Sequence, residues 1–252
     1  MTALTRAGCA GVLAALIAAA PVHGQAQASV PGATATPRDI APFDLTGYWT
    51  AVVTEDWRWR MVTPQKGDYA SVPLNAKGRA LADTWDPNRP AQGCKVFGAP
   101  GVMRMPLRLR ISWADSRTLK IETDRGRQTR LLHFDAQARR PEPRSLQGHS
   151  TASWEGNPGG RFEFVSITPA LSHLTVTTRN LLPGFLRRNG VPYSEDTVLT
   201  EYFDHHQDFG ESWLTVTSIV DDPVYLSDAF ITSSDFKRLP DGSSWNPTPC
   251  SA

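Results

Sequence analysis

The sequence predicts an all-β fold, a single antiparallel β-barrel with one short helix and one long loop. Beyond Phe43, apolar and polar residues alternate with the period of a strand, and β-branched and aromatic residues collect in short runs. Turn-forming residues separate these runs, as in Asp208-Phe209-Gly210. Many short strands at such spacing are typical of a sandwich or a closed antiparallel barrel.

The individual elements follow from the same patterns. Strands are predicted at 46–53, 56–62, 107–113, 117–123, 128–134, 147–154, 161–167, 172–179, 198–206, 213–220 and 229–237. One helix is expected over 76–84, because Asn75 can cap it and because Leu81 and Trp85 lie four residues apart on one face. Residues 181–196, with their Pro-Gly and Asn-Gly turns, are predicted to form a long loop of the kind that often binds or covers a ligand.

The N-terminus has the parts of a secretory signal. Arg6 precedes an apolar run at 7–20, and Ala26-Gln27-Ala28 provides a small-residue cleavage site. The run is shorter than the roughly 20 residues that span a bilayer. We therefore predict a cleaved signal over 1–28 and a periplasmic or secreted protein, with an uncleaved anchor as the alternative. Residues 29–42, rich in Ala, Pro, Thr and Gly, are expected to be a flexible linker to a single barrel domain over 43–252.

Net charge and cysteine content narrow the range of partners. With 26 basic and 25 acidic residues, the chain has no general field for a phosphate backbone or an anionic bilayer. We therefore expect no nucleic-acid partner and no stable membrane insertion, whereas the oligomeric state stays open. Cys94 and Cys250 are the two cysteines beyond the leader, and an even pair in an exported chain predicts a disulfide. Two unpaired buried thiols are the alternative.

Two segments alternate arginine with large apolar residues, at 57–61 and 103–113. If the apolar face points into the barrel, the arginines are solvated outside. If the arginine face lines a cavity, that cavity suits a carboxylate or phenolate. Because aromatic residues belong to the wall in either case, we expect a hydrophobic or aromatic small-molecule ligand. The candidate ligand-binding residues are Arg58, Trp59, Arg104, Arg108 and Trp113.

Chemistry without a cofactor is one hypothesis for this ligand. The chain lacks dinucleotide, P-loop and zinc-protease motifs, so we expect no organic cofactor and no metal. A lyase or isomerase needs only a positioned base and acid. Residue type and strand face suggest His149 or His205 as base, Tyr193 or Tyr202 as acid and Glu201 as orienting carboxylate. The alternatives are a carrier that returns the same class of ligand unchanged and an envelope module that binds another protein.

Two resemblances support the barrel. Asp44-Leu45-Thr46-Gly47-Tyr48-Trp49 resembles the Gly-x-Trp opening of lipocalin-like (calycin) barrels. In that family the Gly bends the first strand, the Trp plugs the closed end and the interior holds an apolar small molecule, which is what the resemblance implies here.

Over a longer span, from Phe43 to about Pro240, the chain is similar to a group of exported bacterial β-rich proteins. The similar pieces are the Gly47-Tyr48-Trp49 opening, the Cys94 loop leading to Pro100 and Pro106, Gly148-His149-Ser150 followed by Trp154, and Asp222-Pro223 followed by Tyr225. This similarity implies export and a β-rich fold, and it implies no particular activity.

Overall fold

Nine strands surround one apolar interior in the computed structural model, which describes residues 35–89, 93–135, 143–156 and 172–250. Four further strands of two residues each lie outside the barrel, in two small sheets. In chain order, all described strands are β1 (Gly47–Val52), β2 (Arg108–Trp113), β3 (Thr118–Thr123), β4 (Arg125–Gly126), β5 (Thr129–His133), β6 (His149–Gly156), β7 (Ser172–Arg179), β8 (Gly184–Phe185), β9 (Pro192–Tyr193), β10 (Val198–Asp208), β11 (Glu211–Asp221), β12 (Phe230–Leu239) and β13 (Thr248–Pro249), and β4, β8, β9 and β13 are the four short ones. The helices are α1 (Trp57–Arg60), α2 (Ala76–Ala82) and α3 (Ala99–Val102), with a 3₁₀ turn over Lys95–Phe97. The mainly β fold is confirmed.

The barrel closes in the order β1, β12, β11, β10, β7, β6, β5, β3, β2 and back to β1. Every neighbouring pair is antiparallel except β5 and β6, which run parallel and match only Leu132 with Ser150 and His133 with Thr151. The prediction of a purely antiparallel barrel is therefore wrong at this seam. The predicted strand at 161–167, the signal at 1–28 and residues 29–34 lie outside the described residues.

The apolar face of each strand points inward, as β2 illustrates. Leu109 and Ile111 are buried, whereas Arg108 and Arg110 project from the outer face. Arg108 pairs with Asp124 at 3.1 Å, and Arg110 pairs with a carboxylate on β3. Within the 103–113 segment, β2 thus adopts the orientation that places Arg108 and Arg110 outside, whereas Arg104, which precedes the strand, is buried.

Aromatic side chains close one end of the barrel, the plugged end. Trp49 is completely buried there, and its indole Nε1 donates to the carbonyl of Leu45 at 2.9 Å. Residues 35–42, part of the predicted flexible linker, are held against this end, because the carbonyl of Pro37 accepts a hydrogen bond from Trp154 Nε1 at 2.9 Å. The other aromatic residues in contact here are Phe43, Trp113 and Phe134.

The opposite end, the capped end, is covered by residues 53–89, 93–106 and 180–197. A second apolar cluster packs these segments on Leu199, Val220 and Phe230 of the barrel. The helix predicted at 76–84 is confirmed as α2, and the side chain of Asn75 accepts from the amide of Gly78 at 2.8 Å. Helices α1 and α3 were not predicted. None of the described helices is long and apolar enough to span a membrane.

The strand predicted at 56–62 is wrong, because this segment forms α1. Its five alternating residues are too few to distinguish a strand from one helical turn. The helix turns Arg60 into the protein, where its guanidinium Nε donates to the carbonyl of Arg104 at 3.0 Å. Tertiary contacts at this arginine thus outweigh the local alternation.

A disulfide fastens the C-terminal tail to the capped end. Cys94 and Cys250 are bonded, which confirms the predicted pairing. The preceding residues, β13, form a short parallel pair with β4, matching Thr248 with Arg125. The C-terminal tail is therefore fixed at the capped end, next to the 3₁₀ turn that follows Cys94.

Candidate ligand site at the capped end

A cleft of about 550 Å³ opens beside the disulfide. Its volume lies within the roughly 300–1,000 Å³ range of small-molecule sites. Aromatic rings and arginines dominate its wall. The lining residues are Thr63, Trp85, Pro87, Arg89, Gly93, Val96, Phe97, Met105, Arg125, Gly126, Phe185, Arg188, Thr248, Pro249 and Cys250.

The cleft carries positive charge without a matching negative charge. Arg89, Arg125 and Arg188 line it, and no carboxylate occurs among its described lining residues. None of the three guanidinium groups forms an ion pair with a described residue. Burial, and then the charge of Arg125, lower the pKa of Arg188. An acidic group entering the cleft would therefore relieve repulsion while it gains charge-assisted hydrogen bonds.

Two pieces of local structure position these arginines. Arg188 lies in the turn of the β8–β9 hairpin, and its Nη2 donates to the carbonyl of Arg60 at 2.6 Å. Gly190 completes that turn with a φ of +82°, and an added Cβ would overlap the side chain of Trp85. Arg125 is held by β13 and hence by the disulfide. The predicted 181–196 loop is thus a short hairpin that supplies one wall of the cleft.

The predicted ligand-binding residues are dispersed rather than gathered in one cavity. Arg58 is exposed and pairs with Asp68 at 2.7 Å, and Trp59 lies between two guanidinium groups at the capped end. Arg104 is buried in the same region. The other two, Arg108 on the outer face and Trp113 at the plugged end, lie elsewhere.

The predicted catalytic residues also occupy separate places. Glu201 lies inside the barrel, and Tyr202 on the other face of β10 contacts the ring of His173 at 5.4 Å. His205 is four residues along from Glu201, about 13 Å at the rise of a strand, and stacks on a ring of the plugged end. The fourth, His149, stacks on a histidine of β5 at 5.2 Å.

Tyr193, the fifth candidate, is completely buried in the cap. Its hydroxyl has no hydrogen-bond partner among the described residues, and burial raises its pKa. The hydroxyl fits closely against two glycines, since a Cβ added at Gly98 or Gly184 would overlap it. These contacts describe a tightly packed side chain, and the structure does not bring the five candidates together.

Buried side chains of the barrel's own strands occupy its interior. One apolar cluster runs from Leu109 and Ile121 to Phe203 and Phe236. Near the capped end the only described ion pair with both side chains fully buried, Arg130 with Glu201, completes this packing. The cleft outside the barrel is therefore the better candidate for a ligand. Among the described residues, no three His, Cys, Asp or Glu side chains gather closely enough to hold a metal ion.

Comparison with protein-family models, curated proteins and solved structures gave no match for this chain. The resemblances to lipocalin-like barrels and to exported β-rich proteins therefore stay predictions.

Sequence reasoning missed the arginines of the cleft. Arg89, Arg125 and Arg188 stand in three segments that no periodic pattern connects. The signal that could have pointed to one of them is the loop at 181–196, whose turns marked it as a binding element and which contains Arg188. The predicted disulfide places the C-terminal tail beside Cys94, and in the structure this tail pairs with the strand that contains Arg125.

Proposed function

We propose that this protein is an exported, lipocalin-like barrel that binds a small molecule with an aromatic or apolar body and one acidic group, and that it releases this molecule unchanged. The observation that carries the proposal is the cleft, in which three arginines that pair with no described carboxylate lie among aromatic rings. The proposed ligand belongs to the class expected from the sequence, but the proposed binding site is the cleft at the capped end rather than the interior of the barrel.

The two halves of the cleft would recognise two halves of such a ligand. Trp85, Phe97 and Phe185 offer flat apolar surface, which favours ring stacking and edge contacts. The forked donors of arginine fit the two oxygens of a carboxylate better than those of lysine do. Arg188 is the strongest candidate to hold the acidic group, because it is partly buried, lies near the charge of Arg125 and pairs with no described carboxylate.

A carrier is favoured over an enzyme by the placement of the titratable groups. The base, acid and orienting carboxylate expected from the sequence do not share one surface, and Glu201 is already bound by Arg130. The proposal therefore assigns no reaction. Export is supported by the disulfide, which is stable in oxidising compartments, together with the signal-like start of the sequence.

A matched pair of fluorescent probes tests the cleft. Anilinonaphthalene sulfonate and phenylnaphthylamine share a ring system, and only the first carries an acidic group. We expect the purified protein to bind the sulfonate at least about tenfold more tightly, as expected for a charge-assisted hydrogen bond in a partly buried site. Equal affinity for the two probes would contradict the proposal.

Three variants locate the binding. Arg188→Gln and Arg125→Gln should each weaken the sulfonate by about tenfold and change the neutral probe by less than about twofold. Arg117→Gln removes the same charge from an exposed turn at the plugged end and serves as the control. If Arg117→Gln weakens the sulfonate as much as Arg188→Gln does, the attraction is a general charge effect and the cleft is not the site.

Mass spectrometry distinguishes carriage from catalysis. The protein is incubated with an extract of aromatic acids, and the bound and free molecules are then weighed. The proposal expects enriched acids of unchanged mass, with the enrichment lost in Arg188→Gln. A new mass that forms only with the protein would overturn the carrier part of the proposal.

A further inference from the structure

Three other arginines of the cap are buried behind the cleft. The exposed fractions of Arg60, Arg104 and Arg187 are 2%, 5% and 3%. Each has guanidinium nitrogens with no hydrogen-bond partner among the described residues, namely Nη2 of Arg60, Nη1 of Arg104, and both Nε and Nη2 of Arg187. Buried donors without acceptors are rare in folded proteins, so this group calls for an acceptor.

These arginines form one cluster, the inner arginine cluster. The guanidinium carbons of Arg104 and Arg187 lie 5.7 and 5.8 Å from the centre of the Phe230 ring. Arg187 also lies 4.7 Å from the centre of the Trp59 ring, and Arg60 joins the cluster through its bond to the carbonyl of Arg104. The three guanidinium groups thus lie in one region that contains the rings of Trp59 and Phe230.

Carboxylates balance two of the three charges. Arg60 pairs with Glu55, and Arg104 pairs with Asp56 at 2.8 Å. Arg187 forms no ion pair with a described residue, and its Nη1 donates to the carbonyl of Ala70 at 2.6 Å. Burial, and then the charge of Arg104, lower the pKa of Arg187 to about 10, so the group is charged at neutral pH. Among the described residues, Arg187 is thus the one member of the cluster without a direct ion-pair partner, and the carboxylates of Asp56 and Asp68 act on it only from a distance.

We propose that the inner arginine cluster binds one carboxylate group. The free Nε and Nη2 of Arg187 form the side of a guanidinium that donates two parallel hydrogen bonds to the two oxygens of a carboxylate. Nη1 of Arg104 supplies a third donor. A single negative charge matches the one guanidinium of the cluster that has no direct ion-pair partner among the described residues. This site uses none of the lining residues of the cleft, and it does not depend on the proposed function.

Acetate and acetamide are the probes for this site, because they have nearly the same shape and differ in charge. Binding is followed by calorimetry and by thermal unfolding at constant ionic strength. We expect acetate to raise the melting temperature in a saturable way and acetamide to have no effect. Arg187→Met should abolish the acetate effect, and Arg187→Lys, which keeps the charge but loses the fork, should weaken acetate at least about tenfold.

Arg188→Gln is the matched control, since it changes the neighbouring arginine of the cleft. It should weaken anilinonaphthalene sulfonate by about tenfold and leave acetate binding unchanged, whereas Arg187→Met should lose acetate and leave the sulfonate unchanged. The two proposals can thus fail separately. Should Arg187→Met not fold, the nitrogen-15 resonance of Arg187 Nε in the unaltered protein replaces it, and acetate should shift this resonance. Equal effects of acetate and acetamide, or an acetate effect that survives Arg187→Met, would overturn the inference.

Discussion

The ion pair between Arg130 and Glu201 lies inside the barrel, where water is excluded. Their side chains are 1% and 0% exposed, and two hydrogen bonds of 2.6 and 3.2 Å join them. The arginine also donates to the hydroxyl of Thr178 at 3.3 Å, and Ser150 bonds the same hydroxyl at 2.7 Å. Replacing one partner would therefore strand a charge in the apolar core.

Glu201→Gln keeps the shape of the side chain and removes its charge. Because Arg130 then stays buried without a counter-charge, we expect the free energy of unfolding to fall by about 3–5 kcal/mol. For a domain of this size that corresponds to a melting temperature lower by roughly 6–20 °C. Folded proteins have a total stability of about 5–15 kcal/mol, so this single change would consume a large part of it.

Urea unfolding followed by tryptophan fluorescence measures the loss. Glu122→Gln is the matched control, because Glu122 also binds an arginine through two hydrogen bonds but does so on the outer face. It should cost at most about 1 kcal/mol. The double change Arg130→Met with Glu201→Leu should recover most of the stability, since it removes both buried charges. If Glu201→Gln costs no more than Glu122→Gln, the pair is hydrated and the reasoning fails.

Three further changes probe other parts of the molecule. Replacing Cys94 and Cys250 by Ser should lower the free energy of unfolding in urea. Because the bond joins residues 156 apart, the chain-entropy relation gives a loss of about 5 kcal/mol. A loss as small as about 1 kcal/mol would contradict this prediction. Tyr193→Phe removes a buried hydroxyl without a partner and should leave the stability unchanged or raise it by about 1 kcal/mol; a clear loss in the same assay would reveal an acceptor. Burial is the main cause that holds the pKa of His205 in the folded protein below its usual value near 6.5. The unfolded chain therefore binds this proton more tightly than the folded protein does. The free energy of unfolding should fall as the pH drops from about 6.5 through the pKa of the folded state. His205→Gln should flatten this fall in a pH series of urea unfolding, whereas exposed His206→Gln should not, and equal slopes for both variants would argue against it.

Alternating runs were sufficient to predict the nine strands of the barrel. β10 and β11 pair over their whole length, and the turn between them consists of Phe209 and Gly210, both with positive φ. That geometry is typical of a two-residue hairpin and agrees with the turn predicted at 208–210. The N-terminal cap of helix α2 could be predicted for the same reason, because it depends only on the Asn75 side chain and the amide of Gly78, three residues later. The disulfide could be predicted because Cys94 and Cys250 are the two cysteines beyond the predicted signal at 1–28.

Features that depend on distant contacts could not be predicted. The segment 57–61 alternates like a strand, and only the contact of Arg60 with the carbonyl of Arg104 explains why it turns into a helix. The cleft forms where the β8–β9 hairpin lies beside the disulfide-bonded tail. Arg125 and Arg188, which are 63 residues apart in the sequence, therefore line the same cleft. No local pattern encodes such a meeting.

The number of strands in the barrel determines the course of one connection. Strands that alternate in direction around a ring must be even in number, so a ring of nine requires one pair to run the same way. That pair is β5 and β6, and the chain between them has to travel from the plugged end back to the capped end. At its arrival Gln147 donates to the carbonyl of Phe97, and the carbonyl of Leu146 accepts from the amide of Ala99. The odd strand count thus delivers a segment that braces the wall of the cleft, which an eight-stranded alternating ring would not need.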